Sequence, residues 1–218
     1  SDADAVVHLA ARVHMMRETL DDPEAAYRRA NTEVTEKLAG AAADSGVERF
    51  IFLSSVKVNG EGTTDRVYTE RDATDPEDAY GRSKLEAERA LQAISDSTDL
   101  AGVSLRVPLV YGPGVGANFA ALMRLCDLPL PLPLAGIKDN KRSLLFLGNL
   151  AGAIGAVLED AVRPSGVYLL SDGEDLSTAD LVRRLRRNLN RRIPDLPVPA
   201  GSLRTLADLA GRSAAAER

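Results

Sequence analysis

The sequence predicts an α/β protein: a parallel sheet with helices on its faces. Apolar runs alternate with helical patterns along the chain, which favours parallel strands joined by helices over a bundle or a sandwich. The first apolar run, Ala5-Val6-Val7-His8-Leu9, is of the buried-strand kind found in such sheets. The 218 residues, 44% of them apolar, leave ample surface to bury a core. No internal repeat or low-complexity tract interrupts the pattern.

The elements follow in order. Pro23 to Asp44 reads as a helix, with proline suited to the first turn and Gly46 to the cap after the last. Arg49 to Ser54 is a second strand. The polar stretch from Asn59 to Asp75 is longer than an ordinary connection, as functional loops often are. Pro76 to Ser97 is a long charged helix, and Val103 to Val110 a third strand. Gly112-Pro113-Gly114-Val115-Gly116 forms a turn suited to a hinge. Asn118 to Leu128 is helical, and Pro129, Pro131 and Pro133 then forbid helix or central strand. Ser143 to Leu147 is a strand, Asn149 to Ala161 a helix, and Gly166 to Leu170 a further strand. Ser177 caps a last helix with Asp180 three positions on, and Pro194, Pro197 and Pro199 mark a linker.

Several function classes fall away. The single cysteine, Cys126, excludes a disulfide framework within the chain and fits a reducing compartment. Its apolar helical setting suits packing better than nucleophilic work. No stretch approaches the roughly 20 uninterrupted apolar residues of a membrane helix. Ser1-Asp2-Ala3-Asp4 is acidic where a secretory leader is basic, so no leader is expected. The net charge of −5 argues against a nucleic-acid partner, and Arg183, Arg184, Arg186 and Arg187 read as a solvated helix face. His8 and His14 lack companions at ligand spacing, so no metal site is expected.

The strongest chemical signal is Tyr80-Gly81-Arg82-Ser83-Lys84. Positions i and i+4 share a helix face, so phenol and ammonium point into the same space. A phenol with a reference pKa of about 10 is a poor base at neutral pH, and a neighbouring cation lowers that value. The pair is therefore suited to take a proton from an alcohol while a hydride leaves the same carbon. Ser54-Ser55 ends the preceding strand, where the strand ends of a parallel sheet line the ligand crevice. A hydroxyl there could hold the reacting alcohol against the phenolate.

These residues carry a resemblance that spans most of the chain. It includes Val7-His8-Leu9-Ala10-Ala11, Ser54-Ser55-Val56-Lys57-Val58-Asn59-Gly60, the Tyr-Lys motif, Leu105-Arg106-Val107-Pro108-Leu109-Val110-Tyr111-Gly112-Pro113, Asn118-Phe119, Arg142 and Leu176-Ser177-Thr178-Ala179-Asp180-Leu181. Together they resemble the extended short-chain dehydrogenase/reductase superfamily, in its NAD-dependent nucleotide-sugar epimerase/dehydratase branch. Within it the pattern is similar to the bacterial group of UDP-glucose 4-epimerase-like proteins and UDP-N-acetylquinovosamine 4-dehydrogenases. The resemblance implies a partial Rossmann-like sheet over residues 1–112. It implies a small substrate-binding region over 113–218, with elements returning to that sheet.

By the same resemblance Tyr80 is the general base, Lys84 its electrostatic partner beside the nicotinamide ribose, and Ser55 the residue binding the oxidised hydroxyl. Leu9, Ala10, Ala11 and Asn31 border the cofactor, NAD with NADP as the alternative. Asn118 and Arg142 hold the diphosphate of a UDP-sugar or similar nucleotide sugar, and a guanidinium fork suits phosphate oxygens. Leu132 to Leu134 flank the nucleobase. The expected protein is a cytoplasmic enzyme, with a homodimer as the candidate assembly. The competing readings are a non-catalytic scaffold on the same fold and a reductase of non-sugar carbonyls.

Departures from the pattern sharpen it. Val56 and Lys57 stand where sugar dehydratases carry an Asp-Glu pair for water elimination. Leu109 replaces a frequent asparagine near the substrate, and Val13 a lysine found in some epimerases. The family's opening glycine-rich phosphate turn is expected upstream of Asp4. Gly148-Asn149-Leu150-Ala151-Gly152-Ala153-Ile154-Gly155 follows a strand and opens a helix, but it comes after the Tyr-Lys motif, and helix packing accounts for it. The motif order leads to the expectation of a longer polypeptide, with two opening βα units, about 60 residues, before the first strand. Further substrate-domain elements are expected beyond Ala214-Ala215-Ala216-Glu217-Arg218.

Overall fold

Four strands make the main sheet of the computed structural model: β1 (Ala5–His8), β2 (Arg49–Ser55), β3 (Ala101–Val107) and β7 (Gly166–Leu169). They run parallel in the order β1-β2-β3-β7. The register pairs His8 with Phe52, Phe52 with Ser104 and Ser54 with Arg106. The structure describes residues 3–13, 21–63, 66–191, 193–194 and 196–198. His14, Pro199 and the C-terminal tail named above lie outside the described residues.

Helices cover both faces of this sheet. The predicted helix over 23–44 is α1 (Pro23–Tyr27) and α2 (Val34–Asp44), joined by a wider π-helical segment, Arg28–Glu33. Asp22 caps its start by accepting from Ala25 N at 3.0 Å, and Gly46 follows its end at φ 73°. The charged helix α3 spans Ala79–Ser97. It buries Lys84, Ala87, Glu88 and Leu91, the i, i+3, i+4, i+7 stripe of a core-facing helix. Ala39, Ala42, Ala87 and Leu91 of α2 and α3 pack on Phe50 and Phe52. On the opposite face Ile154, Val157 and Leu158 of α5 (Leu147–Glu159) pack on Ile51, Val103 and Leu105. Alternate residues of β2 thus feed two cores, as a doubly covered parallel strand requires.

A buried ion pair crosses the α3 face. Arg106 Nε and Nη2 donate to Glu88 at 3.0 and 2.6 Å, and both side chains are 4% exposed. Ser54 Oγ also donates to Glu88, and Arg106 Nη1 donates to Asn59 Oδ1 at 3.0 Å.

The chain divides into two compact units. One comprises the described residues up to Pro108 together with Leu147–Ser171, and contains the sheet above. The other comprises Leu109–Phe146 and the described residues from Asp172 onward. In the second, β4 (Leu109–Tyr111) pairs parallel with β6 (Leu144–Phe146), and β5 (Lys141–Arg142) antiparallel with β8 (Leu176–Ser177). Its helices are α4 (Ala117–Asp127) and α6 (Thr178–Asn188). Ser177 caps α6, accepting from Asp180 N at 3.1 Å.

Three expectations need correction. The strand predicted over 103–110 is two strands in different sheets: Pro108 has no N–H to donate, and the chain changes partners there. Gly152 and Gly155 lie inside α5, and a Cβ at either would meet no described atom within 4 Å, so close packing does not explain them. Arg186 is not part of a solvated face: it is 2% exposed and donates to Leu130 O at 3.0 Å.

Removing one partner of the Glu88–Arg106 pair leaves a buried charge unpaired. Glu88→Ala alone is expected to cost about 3–5 kcal/mol in urea unfolding. Glu88→Met combined with Arg106→Met should cost less than the two single changes summed. Strict additivity would show that the pair is not coupled.

Candidate active site

Asp78 begins the site. Its Oδ1 accepts from Gly81 N at 2.7 Å, capping α3 and setting Tyr80 in the first turn with Lys84 one turn on. Lys84 is 2% exposed. Its ammonium donates to Leu53 O at 2.7 Å and lies 4.4 Å from the Phe52 ring centroid and 5.9 Å from that of Tyr80. Burial pulls its pKa down to about 8, against the opposing pull of the Glu88 carboxylate.

Ser55 closes β2 and is 9% exposed. Its Oγ accepts from Lys57 N at 3.3 Å, and the hydroxyl lies near enough to the Tyr80 phenol to favour its ionised form. The phenol does not sit below its ordinary range, as the neighbouring lysine predicted. Burial pushes it up, outweighing the nearby Ser55 hydroxyl, which favours the phenolate; Asp78 adds to the rise and Lys57 opposes it. The Tyr27 ring meets Tyr80 edge-on, with centroids 6.2 Å apart.

Asn31, in the π-helical segment, is 1% exposed. Its Oδ1 accepts from Arg12 N at 2.8 Å, and its Nδ2 donates to Arg12 O at 3.0 Å and Ser83 Oγ at 2.9 Å. The amide therefore clamps the segment after β1 against α3, beside Lys84. That segment contains Leu9 and Ala10, both exposed, and Ala11, half-buried. An exposed apolar strand end thus lies on the segment held beside the helix that carries the buried Lys84 ammonium and the Tyr80 phenol. The Asn31 amide oxygen and nitrogen are both engaged within the protein.

The other predicted residues belong to the second unit. Asn118 opens α4 and Arg142 lies on β5, both exposed. The Leu132 side chain is 2% exposed and packs with Cys126 and Val182, so it is part of that unit's core. Sequence reasoning passed over Asp78, Lys57 and His8. Asp78 had a signal, an aspartate just ahead of the Tyr-Lys turn. His8 had none: it is buried, stacked 5.8 Å from Phe52, and its imidazole is held below the usual range by burial and then by the Lys84 charge.

A parallel sheet covered on both faces, with serine, tyrosine and lysine grouped at a strand end, defines a Rossmann-like protein of the short-chain dehydrogenase type. Residues 1–170 match the NAD dependent epimerase/dehydratase family, and the chain belongs to it. It is 45% identical over 214 residues to a UDP-glucose 4-epimerase of Vibrio cholerae, covering 98% of this chain and 65% of that protein. It is 30% identical over 206 residues to an N-acetyl-alpha-D-glucosaminyl-diphospho-ditrans,octacis-undecaprenol 4-epimerase of Escherichia coli O157:H7, covering 92% of this chain and 60% of that protein. Among solved structures, MoeE5 in complex with UDP-glucuronic acid and NAD superposes with a TM-score of 0.71 at 27% identity, covering 88% of this chain and 66% of that one. The UDP-glucuronic acid 4-epimerase from Bacillus cereus in complex with NAD gives 0.73 at 25%, covering 89% and 62%. The chain thus spans less than two thirds of the length of each.

The buried ammonium has a pH signature. The unfolded chain keeps the Lys84 proton up to its ordinary value of 10.5, whereas the folded chain releases it at about 8. Between these values the unfolded state binds more protons, so this group makes stability rise with pH. The stability of wild type relative to Lys84→Met should therefore grow from pH 8 to 10.5, measured by denaturant midpoints. A difference that stays flat would contradict the buried, charged lysine.

Proposed function

We propose that this chain carries the proton-transfer centre of an NAD-dependent UDP-sugar epimerase. The observation that carries the reading is the Tyr80 ring 5.9 Å from the buried Lys84 ammonium, with the Ser55 hydroxyl near enough to favour the ionised phenol. The 45% identity to a protein named UDP-glucose 4-epimerase favours epimerisation over release of a keto sugar. Val56 and Lys57 offer no acid–base pair for eliminating water, so dehydration is not part of the reaction. NAD is preferred to NADP because it is the cofactor named with the solved relatives.

Bound NAD supplies the hydride acceptor, and its oxidised ring carries a positive charge. Tyr80 takes the proton of the reacting sugar hydroxyl, and burial keeps the phenol neutral until a ligand favours its ionisation. Ser55, at the end of β2 beside the phenol, holds the reacting hydroxyl against it. Lys84, whose pKa of about 8 leaves it largely protonated at neutral pH, provides the charge that stabilises the phenolate. Inversion would be completed when Tyr80 returns the proton as the hydride held by the cofactor goes back to the opposite face of the turned sugar.

Asn118 and Arg142 are proposed to bind the diphosphate, with the residues around Leu132 bordering the base through their backbone. A cytoplasmic homodimer completes the reading, and the lone, buried Cys126 suits a reducing compartment. No helix among the described residues is long and apolar enough to cross a membrane.

In the full-length gene product, Tyr80→Phe should lower the epimerisation rate of UDP-sugars by about 10²–10⁴-fold. Turnover at the wild-type rate would remove Tyr80 as the base. Arg142→Ala should weaken UDP binding, measured by calorimetry, by about 10–100-fold, the loss of a charge-assisted contact. An unchanged dissociation constant would exclude Arg142 from the nucleotide site.

A further inference from the structure

We propose that Lys57 is a positioning residue of this centre: through Asp78 it ties the turn that holds Ser55 to the first turn of the helix that holds Tyr80. The inference rests on the function proposed above. Ser55 and Tyr80 come from separate elements 25 positions apart, so their meeting depends on how the short 3-10 turn Val56–Val58 docks on α3.

Two ties fix that docking, and a hydrogen bond within the turn holds the serine. Lys57 Nζ donates to Asp78 Oδ2 at 2.8 Å, while Oδ1 of the same carboxylate caps α3 at Gly81 N. Lys57 O lies 2.9 Å from where a Cβ on Gly81 would stand, so the two backbones touch and only glycine fits between them. Lys57 N donates to Ser55 Oγ at 3.3 Å, holding the serine hydroxyl at the end of β2. One residue thus supplies a side-chain tie, a backbone contact and the hydrogen bond that holds the serine. The Lys57 and Asp78 side chains are 28% and 26% exposed, more sheltered than an ordinary surface pair.

The tie also sets the charges around the phenol. Tyr80 is faced by Lys57 from the turn, Asp78 from the helix cap, Tyr27 from α1 and Lys84 from its own helix, while Glu61 pairs with Lys57 from the far side. The Lys57 ammonium favours the phenolate and the Asp78 carboxylate disfavours it. Removing only the ammonium leaves the carboxylate facing the phenol uncompensated. Removing only the carboxylate's charge leaves the ammonium in place, still paired with Glu61.

The test compares Lys57→Met, Lys57→Arg and Asp78→Asn in the full-length gene product, with kcat, KM and pH profiles on UDP-glucose. Lys57→Met should lower kcat at neutral pH by about tenfold or more while KM changes little. Its acid limb should move to higher pH, so that activity recovers as pH rises. Lys57→Arg should restore both rate and limb, and Asp78→Asn, which keeps a capping oxygen, should move the limb to lower pH. Wild-type kcat in Lys57→Met would overturn the proposal. So would a loss in both variants that is equal at every pH, the mark of general destabilisation. If the wild type turns over no UDP-sugar, the function proposed above fails, and hydrogen exchange still decides this inference. The amides of Ser55–Val58 and the first turn of α3 should exchange faster in Lys57→Met than in wild type, and unchanged exchange would refute the tie.

Discussion

The buried Glu88–Arg106 pair is the constraint on which the site's geometry depends. Both charges lie under α3, where separation from water makes an unpaired ion costly. The guanidinium engages the carboxylate through two nitrogens and Asn59 through a third, and Ser54 adds a further donor. That set of partners fixes how far α3 can slide or rotate on β2 and β3. Lys84 lies one turn before Glu88 and Tyr80 one turn before Lys84, so the ion pair sets where both stand over the strand ends.

Above that anchor the site combines burial with charge. Burial lowers the Lys84 pKa to about 8, and the Glu88 carboxylate opposes that fall. The same carboxylate therefore serves as structural partner to Arg106 and electrostatic support to Lys84. The phenol is raised by burial, so it rests as a neutral group near the Ser55 hydroxyl.

The sheet and the Tyr-Lys pair were legible because their signals are local. Alternation of apolar runs with helical patterns marked the strands, and the four-residue spacing put Tyr80 and Lys84 on one face. What escaped depends on contacts distant in sequence. The break at Pro108 was readable in principle, since proline cannot continue a ladder, but the two-residue strands at Lys141 and Leu176 have no periodicity to read. The π-helical segment that turns Asn31 toward Arg12 and Ser83 leaves no compositional mark. Spacing alone predicted a lowered phenol, because it registers the cation and not the desolvation that outweighs it. Leu132 lies in a segment that proline marks as irregular, yet its side chain fills a core that only the packing of α4 and α6 reveals.

The central claim is that Ser55, Tyr80 and Lys84 run a reversible oxidation of a sugar hydroxyl. Its most direct measurement is rapid mixing of the NAD-loaded full-length gene product with UDP-glucose, following the absorbance of reduced nicotinamide within a single turnover. The account predicts a transient rise and decay in the wild type and no rise in Tyr80→Phe. Conversion of the sugar without any such transient, or a transient of equal rate and size in Tyr80→Phe, would contradict it.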